Sequence, residues 1–279
     1  QNELHINSNE HPVLLTTKNF TPKQQSEKMI EIMFETFDVP SFYMSKQGYL
    51  SLISTGRTTG LSCDIGDGVS QYTPVYEGYE INHSVQCINF AGREITEWLQ
   101  KILYEKNYAF YSDKEIVRDI KEKYCYVALD FDDEMKKAKS SSDCDVSVNG
   151  VTISDVRFRA PELLFRPLMN SFEFDGLDKI IYDLIMNCRF DFRNDLFSNI
   201  VMTGGSTLFK GLVERLDKEL SILAPPTLRV RIYAPDGREN AAWIGGSIIA
   251  SLENFPLMVL GKEEYNDYGP GIVHRKFNI

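Results

Sequence analysis

Apolar residues recur at helical spacing over residues 22–37, where Met29, Ile32, Met33 and Phe37 share a face. Just ahead of them, Thr21-Pro22-Lys23-Gln24 combines a capping-box pattern with proline at the first helical position. Short apolar runs at 12–16 and 42–44, and a second helix over Gln47 to Ser54 closed at Gly56, complete a strand–helix–strand–helix series typical of an α/β sheet. Further on, Ile95, Trp98, Leu99, Ile102 and Leu103 mark a helix over 92–106, and Ser112 with Glu115 opens another through a capping box. Lys136 to Asp143, charged and serine-rich, reads as a loop, and VSVNGVTI at 146–153 as a hairpin turning at Asn149-Gly150. Pro161 to Phe165 reads as a short helix, and Ile180, Ile181, Leu184 and Ile185 mark a longer one. Strand 199–203 ends in Gly204-Gly205-Ser206-Thr207 before a helix striped by Leu208, Leu212, Leu216 and Leu220. Leu228, Val230 and Ile232 alternate with arginines as a strand, and Trp243 to Leu252 is an apolar helix.

The stretch Thr58 to Glu77, TTGLSCDIGDGVSQYTPVYE, is two strands joined by a glycine turn that carries carboxylates. Gly66 and Gly68 flank Asp67; both can take φ > 0, and without Cβ they let backbone N–H groups approach a ligand. Phosphate is the natural guest of such a turn, although a strand, a glycine turn and a strand is also an ordinary hairpin. The double glycine at 204–205 repeats the theme, placing N–H groups at the end of a strand in an anion-facing arrangement.

At 279 residues and 43% hydrophobic content the chain can bury sizeable cores, as two domains or one large one. A net charge of −10 argues against binding nucleic acid or anionic lipid by bulk electrostatics. Five cysteines without a CxxC pair read as reduced core thiols rather than a disulfide frame or zinc site, and no apolar run has the length of a membrane span.

In order and spacing, MFETF, STGRTTG, DIGDGV, PVYEGY, AGRE, EIVRDIKEKYCYVALDF, TGGSTLFKGLVERL, WIGGSIIASL and GPGIVHRK resemble the actin family, over Asn2 to Lys276. The resemblance implies an α/β actin-like ATPase fold with ribonuclease H-like halves around a nucleotide cleft, ATP or ADP with Mg²⁺ or Ca²⁺ as cofactors, filament formation, and slow hydrolysis of ATP to ADP and phosphate. It divides the chain into a partial subdomain 1 (1–54 and 241–279), a nucleotide-facing subdomain 3 (55–90 and 174–240) and a subdomain 4 (91–173). Gly66, Asp67, Gly68 and Val69 match its second phosphate hairpin, with Asp64 and Asp67 facing a hydrated metal. Gln47 matches the glutamine that positions attacking water. Lys121 and Glu122 match purine and ribose contacts, although by pattern alone they lie on a solvated helix face. Gly204, Gly205 and Thr207 match the loop under the nucleotide. Ile53, Gly56, Thr58, Ile244, Ile248, Ile249, Leu252 and Met258 match the hydrophobic cleft used for partner proteins and filament contacts; as a stripe they also fit plain core.

Departures bear on catalysis. Gln71 stands where the family has a histidine implicated in hydrolysis; an amide orients water but does not relay a proton, so turnover should slow with binding kept. Ile65 replaces a serine, Phe209 a tyrosine near the base and Glu239 a lysine, while Arg166 to Asp175 departs from the family's apolar plug loop. The family's first phosphate hairpin and small outer subdomain have no counterpart in these 279 residues, so a longer polypeptide is expected, with strands 12–16 and 39–44 otherwise forming an apolar edge. The leading expectation is a divergent actin, cytoplasmic and cytoskeletal, pairing with itself and with actin-binding proteins. The alternative is an actin-related structural subunit of a larger cytoskeletal, axonemal, dynactin-like or chromatin complex, with little hydrolysis or polymerisation. A metabolite kinase on the same scaffold would need a sugar pocket.

Overall fold

The computed structural model describes residues 6–108, 112–148 and 150–277. The chain divides into two compact units, residues 1–58 with 240–279 and residues 59–239.

The first unit begins with β1 (Val13–Thr17), α1 (Lys23–Glu31), β2 (Ser41–Lys46) and α2 (Gln47–Ile53). β1 pairs in parallel with β2, as the strand–helix–strand pattern requires. Thr21 does not cap α1: its hydroxyl bonds Lys18 O at 2.8 Å and meets the Thr17 hydroxyl, so it serves the preceding turn. Past Glu31 the helix widens over Ile32–Thr36, where Phe37 N–H bonds Ile32 O five residues back.

The second unit carries the larger sheet. Its elements are β3 (Gly60–Ile65), β4 (Ser70–Tyr76), β5 (Tyr79–Glu80), β6 (Gln86–Ile88), α3 (Gly92–Glu105), α4 (Lys114–Tyr124), α5 (Phe131–Ser140), β7 (Val146–Val148), β8 (Val151–Ile153), α6 (Val156–Arg159), α7 (Leu177–Asn187), α8 (Phe190–Phe197), β9 (Ile200–Thr203), α9 (Leu212–Leu223) and β10 (Ile232–Tyr233). The strands run β10-β9-β3-β4-β5 with β6 also on β4, so β3 sits between antiparallel β4 and parallel β9. One apolar core joins Leu61, Cys63 and Ile65 of β3 to Ile95, Leu99, Val117, Ile181 and Leu216 from four helices. It runs without a break through residues assigned by sequence to subdomains 3 and 4.

Several sequence expectations shift here. Asp113, not Ser112, caps α4, its carboxylate accepting from the N–H groups of Glu115 and Ile116; a carboxylate is the stronger acceptor. Lys136–Ser140 is helix rather than loop, because Asp130 caps α5 and Lys136–Asp133 and Lys137–Glu134 pairs brace it. Leu208 lies outside α9 and is exposed, since Gly211 at φ +81° starts that helix. The Leu228–Ile232 strand shortens to β10, and Asn149 of the predicted turn lies outside the described residues. Cys63, Cys125, Cys144 and Cys188 are buried, as core thiols should be, whereas Cys87 is exposed.

The chain returns to the first unit with α10 (Ala241–Ala250), α11 (Phe255–Met258), β11 (Leu260–Gly261), α12 (Lys262–Tyr268) and α13 (Ile272–Phe277). β11 pairs antiparallel with β2, so the strand predicted at 39–44 is the middle of a three-stranded sheet rather than an edge. α10 lies tightly on α2: a Cβ on Gly245 would fall 1.9 Å from Leu50 O. No helix among the described residues is long and apolar enough to cross a membrane.

Candidate functional site

The β3–β4 hairpin forms, with Asp64 opposite Gln71 and the turn closed by Gly66 N–H to Val69 O at 3.2 Å, but neither Gly66 nor Gly68 takes the positive φ expected of it. Among the described residues, the N–H groups of Asp67, Gly68 and Val69 have no hydrogen-bond acceptor. Three successive unmatched donors on one turn suit an anion.

Asp64 lies half-buried between the buried Cys63 and Ile65 of β3, and its register partner on β9 is Thr203. Register partners project to the same face of a sheet, so carboxylate and hydroxyl sit side by side. Asp64 has no ion-pair partner among the described residues, and burial pushes its carboxyl up from the ordinary value. Thr203 Oγ1 is buried without a hydrogen-bond partner among the described residues. Gly204 follows at φ +87°; a Cβ there would fall 2.4 Å from Ile65 O and 2.6 Å from Asp64 Oδ1, so only glycine fits. Gln71 is buried on β4, also opposite Cys87 of β6.

The loop after β9 is a single turn of 3₁₀ helix, Gly205–Thr207, not the direct helix start that the sequence implies. Gly205 is exposed. Thr207 is fully buried, donating to Gly204 O at 2.7 Å and accepting from Arg238 Nε at 3.0 Å. Its side chain therefore shapes the loop instead of offering itself to a ligand. Ser206, which sequence reading passed over, reaches Gly66 O at 2.7 Å. Phe209 packs half-buried against the main core. Glu239 is exposed in a 3₁₀ turn, Arg238–Asn240, at the end of this unit.

α4 separates its two candidates. Glu122 is exposed, on the solvated face, within 3.9 Å of Arg118. Lys121 is only 7% exposed, and its ammonium donates to Gly92 O at 3.0 Å. Burial lowers its pKa, partly offset by Glu122 and Asp67. A buried ammonium with three donors and one acceptor among the described residues has capacity left for a ligand. Gly92 and Arg93, at the start of α3, also belong here: Arg93 N–H bonds Asp67 O at 2.7 Å, and its guanidinium lies 3.4 Å from the Asp67 carboxylate. That pair is exposed and worth little on its own. The sequence signal for these two was the Gly-Arg step between an apolar strand and an amphipathic helix.

The donor set fits a nucleotide phosphate with a hard cation: backbone N–H groups for the anion, and Asp64 and Asp67 with the Thr203 hydroxyl as oxygen ligands. Among the described residues no three His, Cys, Asp or Glu side chains cluster to hold a metal directly. Two carboxylates acting through water is an arrangement that hydrated Mg²⁺ accepts.

In the first unit, Gln47 opens α2 half-buried. The apolar stripe splits there. Ile249 is core, packed with Leu50 and Phe255, so it cannot present itself to a partner. Ile53 and Met258 pack half-buried on that cluster and Ile244 is half-buried, whereas Gly56, Thr58, Ile248 and Leu252 are exposed. Ile248→Asp should accordingly change stability by less than about 0.5 kcal/mol in a thermal melt, while abolishing capture of any partner that uses this face in a pull-down.

A family model described as Actin matches residues 1–278 of the chain.

Proposed function

The chain belongs to the actin family, and from that premise we propose that it is a divergent actin that binds ATP or ADP with Mg²⁺ or Ca²⁺ and assembles into cytoskeletal filaments in the cytoplasm. The observation that carries the nucleotide reading is the hairpin turn, whose free N–H groups at 67–69 follow a half-buried Asp64 that has no ion-pair partner among the described residues. Asp64 and Asp67 would hold the cation through water, Lys121 and the Gly204–Gly205 loop the nucleotide, and Gln47 the attacking water. Bound nucleotide would supply the phosphoanhydride to be cleaved. Gln71, an amide where the family has imidazole, would orient water without relaying its proton, so hydrolysis is slow. Residues 55–90 with 174–240 are assigned to the nucleotide-facing subdomain and 91–173 to the outer one.

A second reading, a structural subunit that keeps nucleotide without polymerising, draws on the segment from Arg166 to Asp175. Phe172 and Phe174 pack on Phe90 with ring centroids 5.2 and 5.1 Å away, and Arg166 is tied to Asp132 and Glu162. That segment is thus fastened to its own unit, leaving Leu168 as its exposed apolar residue. Sedimentation with simultaneous phosphate release separates the two. Pelleted polymer with slow release supports the divergent actin; soluble protein that retains nucleotide supports the subunit; failure to bind nucleotide rejects both.

A further inference from the structure

Two peptide planes of the hairpin turn are held by their carbonyl groups. Gly66 O accepts from Gly92 N–H at 3.1 Å and from the Ser206 hydroxyl at 2.7 Å, and Asp67 O accepts from Arg93 N–H at 2.7 Å. In a trans peptide the C=O and N–H lie in one plane and point in opposite directions. Holding the Gly66 carbonyl toward Gly92 and Ser206 therefore turns the Asp67 N–H away from them, and holding the Asp67 carbonyl toward α3 does the same for the Gly68 N–H.

We infer that Ser206 is a positioning residue for phosphate binding: its hydroxyl locks the Gly66–Asp67 peptide in the orientation that leaves the Asp67 N–H free for an anion. This rests on the nucleotide reading above. The lock is needed because the peptide follows a glycine, which adopts either orientation readily, and its other carbonyl contact, Gly92 N–H at 3.1 Å, is longer than the Ser206 contact. A reversed peptide would set its carbonyl oxygen against the phosphate and withdraw one donor.

The surroundings of Ser206 are built around that contact. At Gly92 a Cβ would fall 2.5 Å from Ser206 Oγ and 3.2 Å from both Gly66 O and Lys121 Nζ, so this position has no room for a side chain. Lys121 holds the same residue from α4 through Gly92 O. The start of α3 and the 205–207 loop thus hold the turn directly and α4 braces it through Gly92, and within that loop it is Ser206 that touches the hairpin while Thr207 serves the loop itself.

The test compares Ser206→Ala, Ser206→Thr and Ser206→Cys in the full chain, titrated with Mg-ADP and with adenosine, which lacks phosphate. Ser206→Ala should raise the Kd for ADP about three- to tenfold, the weight of one hydrogen bond, leave adenosine binding unchanged, and lower the melting temperature by no more than the loss of that one bond. Ser206→Thr should restore ADP affinity and Ser206→Cys, a weaker donor, should fall between. Equal losses for ADP and adenosine, or no loss, overturn the inference. If the wild type binds no nucleotide, the functional reading fails and the lock is judged by amide NMR. Broadened or doubled Asp67 and Gly68 signals in Ser206→Ala, single in Ser206→Thr, uphold it; unchanged signals refute it.

Discussion

Asp64→Asn should weaken Mg²⁺-dependent ADP binding about 10- to 100-fold and, at the same time, raise the melting temperature of the nucleotide-free protein. Both effects follow from one half-buried carboxylate that has no ion-pair partner among the described residues. Burial raises its folded-state pKa above the unfolded value of 3.8, so the charged form is disfavoured by folding. The sign is then fixed: stability falls as pH rises from the unfolded pKa through the folded one, and at neutral pH the charge is a standing cost. Asparagine keeps the shape and removes the charge. Relaxing a functional site in this way commonly yields about 0.5–2 kcal/mol, or about 2–4 °C in a domain of this size. Binding moves oppositely because charge-assisted contacts are worth about 1.5–3 kcal/mol. Wild-type affinity should also weaken on acidification at a higher pH than an ordinary aspartate would dictate, and Asp64→Asn should lose that dependence. Calorimetric titrations across pH, paired with melts of the apo proteins, give both readings. A variant that melts lower and binds as before would contradict the assignment of Asp64.

Arg215→Met should destabilise the protein by about 3–5 kcal/mol, the loss typical of one partner removed from a buried ion pair. Glu162 is fully buried, and Arg215 spans it with two contacts of 3.4 Å while bonding Ala128 O and Glu219 and stacking on Phe165. Those long contacts compensate burial only in part: desolvation pushes the Glu162 carboxyl up to about 7 against the pull of Arg215 and Arg166. A carboxyl whose folded pKa exceeds its unfolded 4.5 favours folding in its protonated form, so its contribution declines as pH rises from about 4.5 to 7. Without Arg215 the charged form is worse still. The damage should be smaller at pH 5 than at pH 8, and Arg215→Met with Glu162→Gln should recover much of it. Urea unfolding of the single and double variants at both pH values measures this. A pH-independent loss, or no recovery, would mean that Arg215 acts through packing alone.

The sequence exposes those parts of this molecule that local chemistry governs. The β3–β4 hairpin is legible because Gly66 and Gly68 bracket Asp67 between apolar strands, and α3 because its apolar residues keep helical spacing. What stays hidden is settled between distant segments. Lys121 sits in a charged run, yet the turn of α4 buries it against Gly92; nothing in RDIKEK distinguishes it from the exposed Lys123. Ser206 and Thr207 are adjacent hydroxyl residues, and only the fold of the Gly204 loop decides which reaches the hairpin. The helix at 131–140 was masked by its composition, since capping by Asp130 and pairs three residues apart outweigh the serines and lysines that read as loop. The cleft residues show the limit of periodicity: Ile248 and Ile249 are alike in sequence, but the close approach of α10 to α2 puts one in solvent and the other in the core.

The central claim, that the Gly66–Val69 turn with Asp64 holds nucleotide phosphate, is tested most directly by amide hydrogen exchange of the whole chain with and without Mg-ADP. Slowed exchange at Asp67, Gly68 and Val69, with adenosine producing no such protection, is the predicted result. ADP binding that leaves those three amides unprotected, or no binding at all, would contradict it.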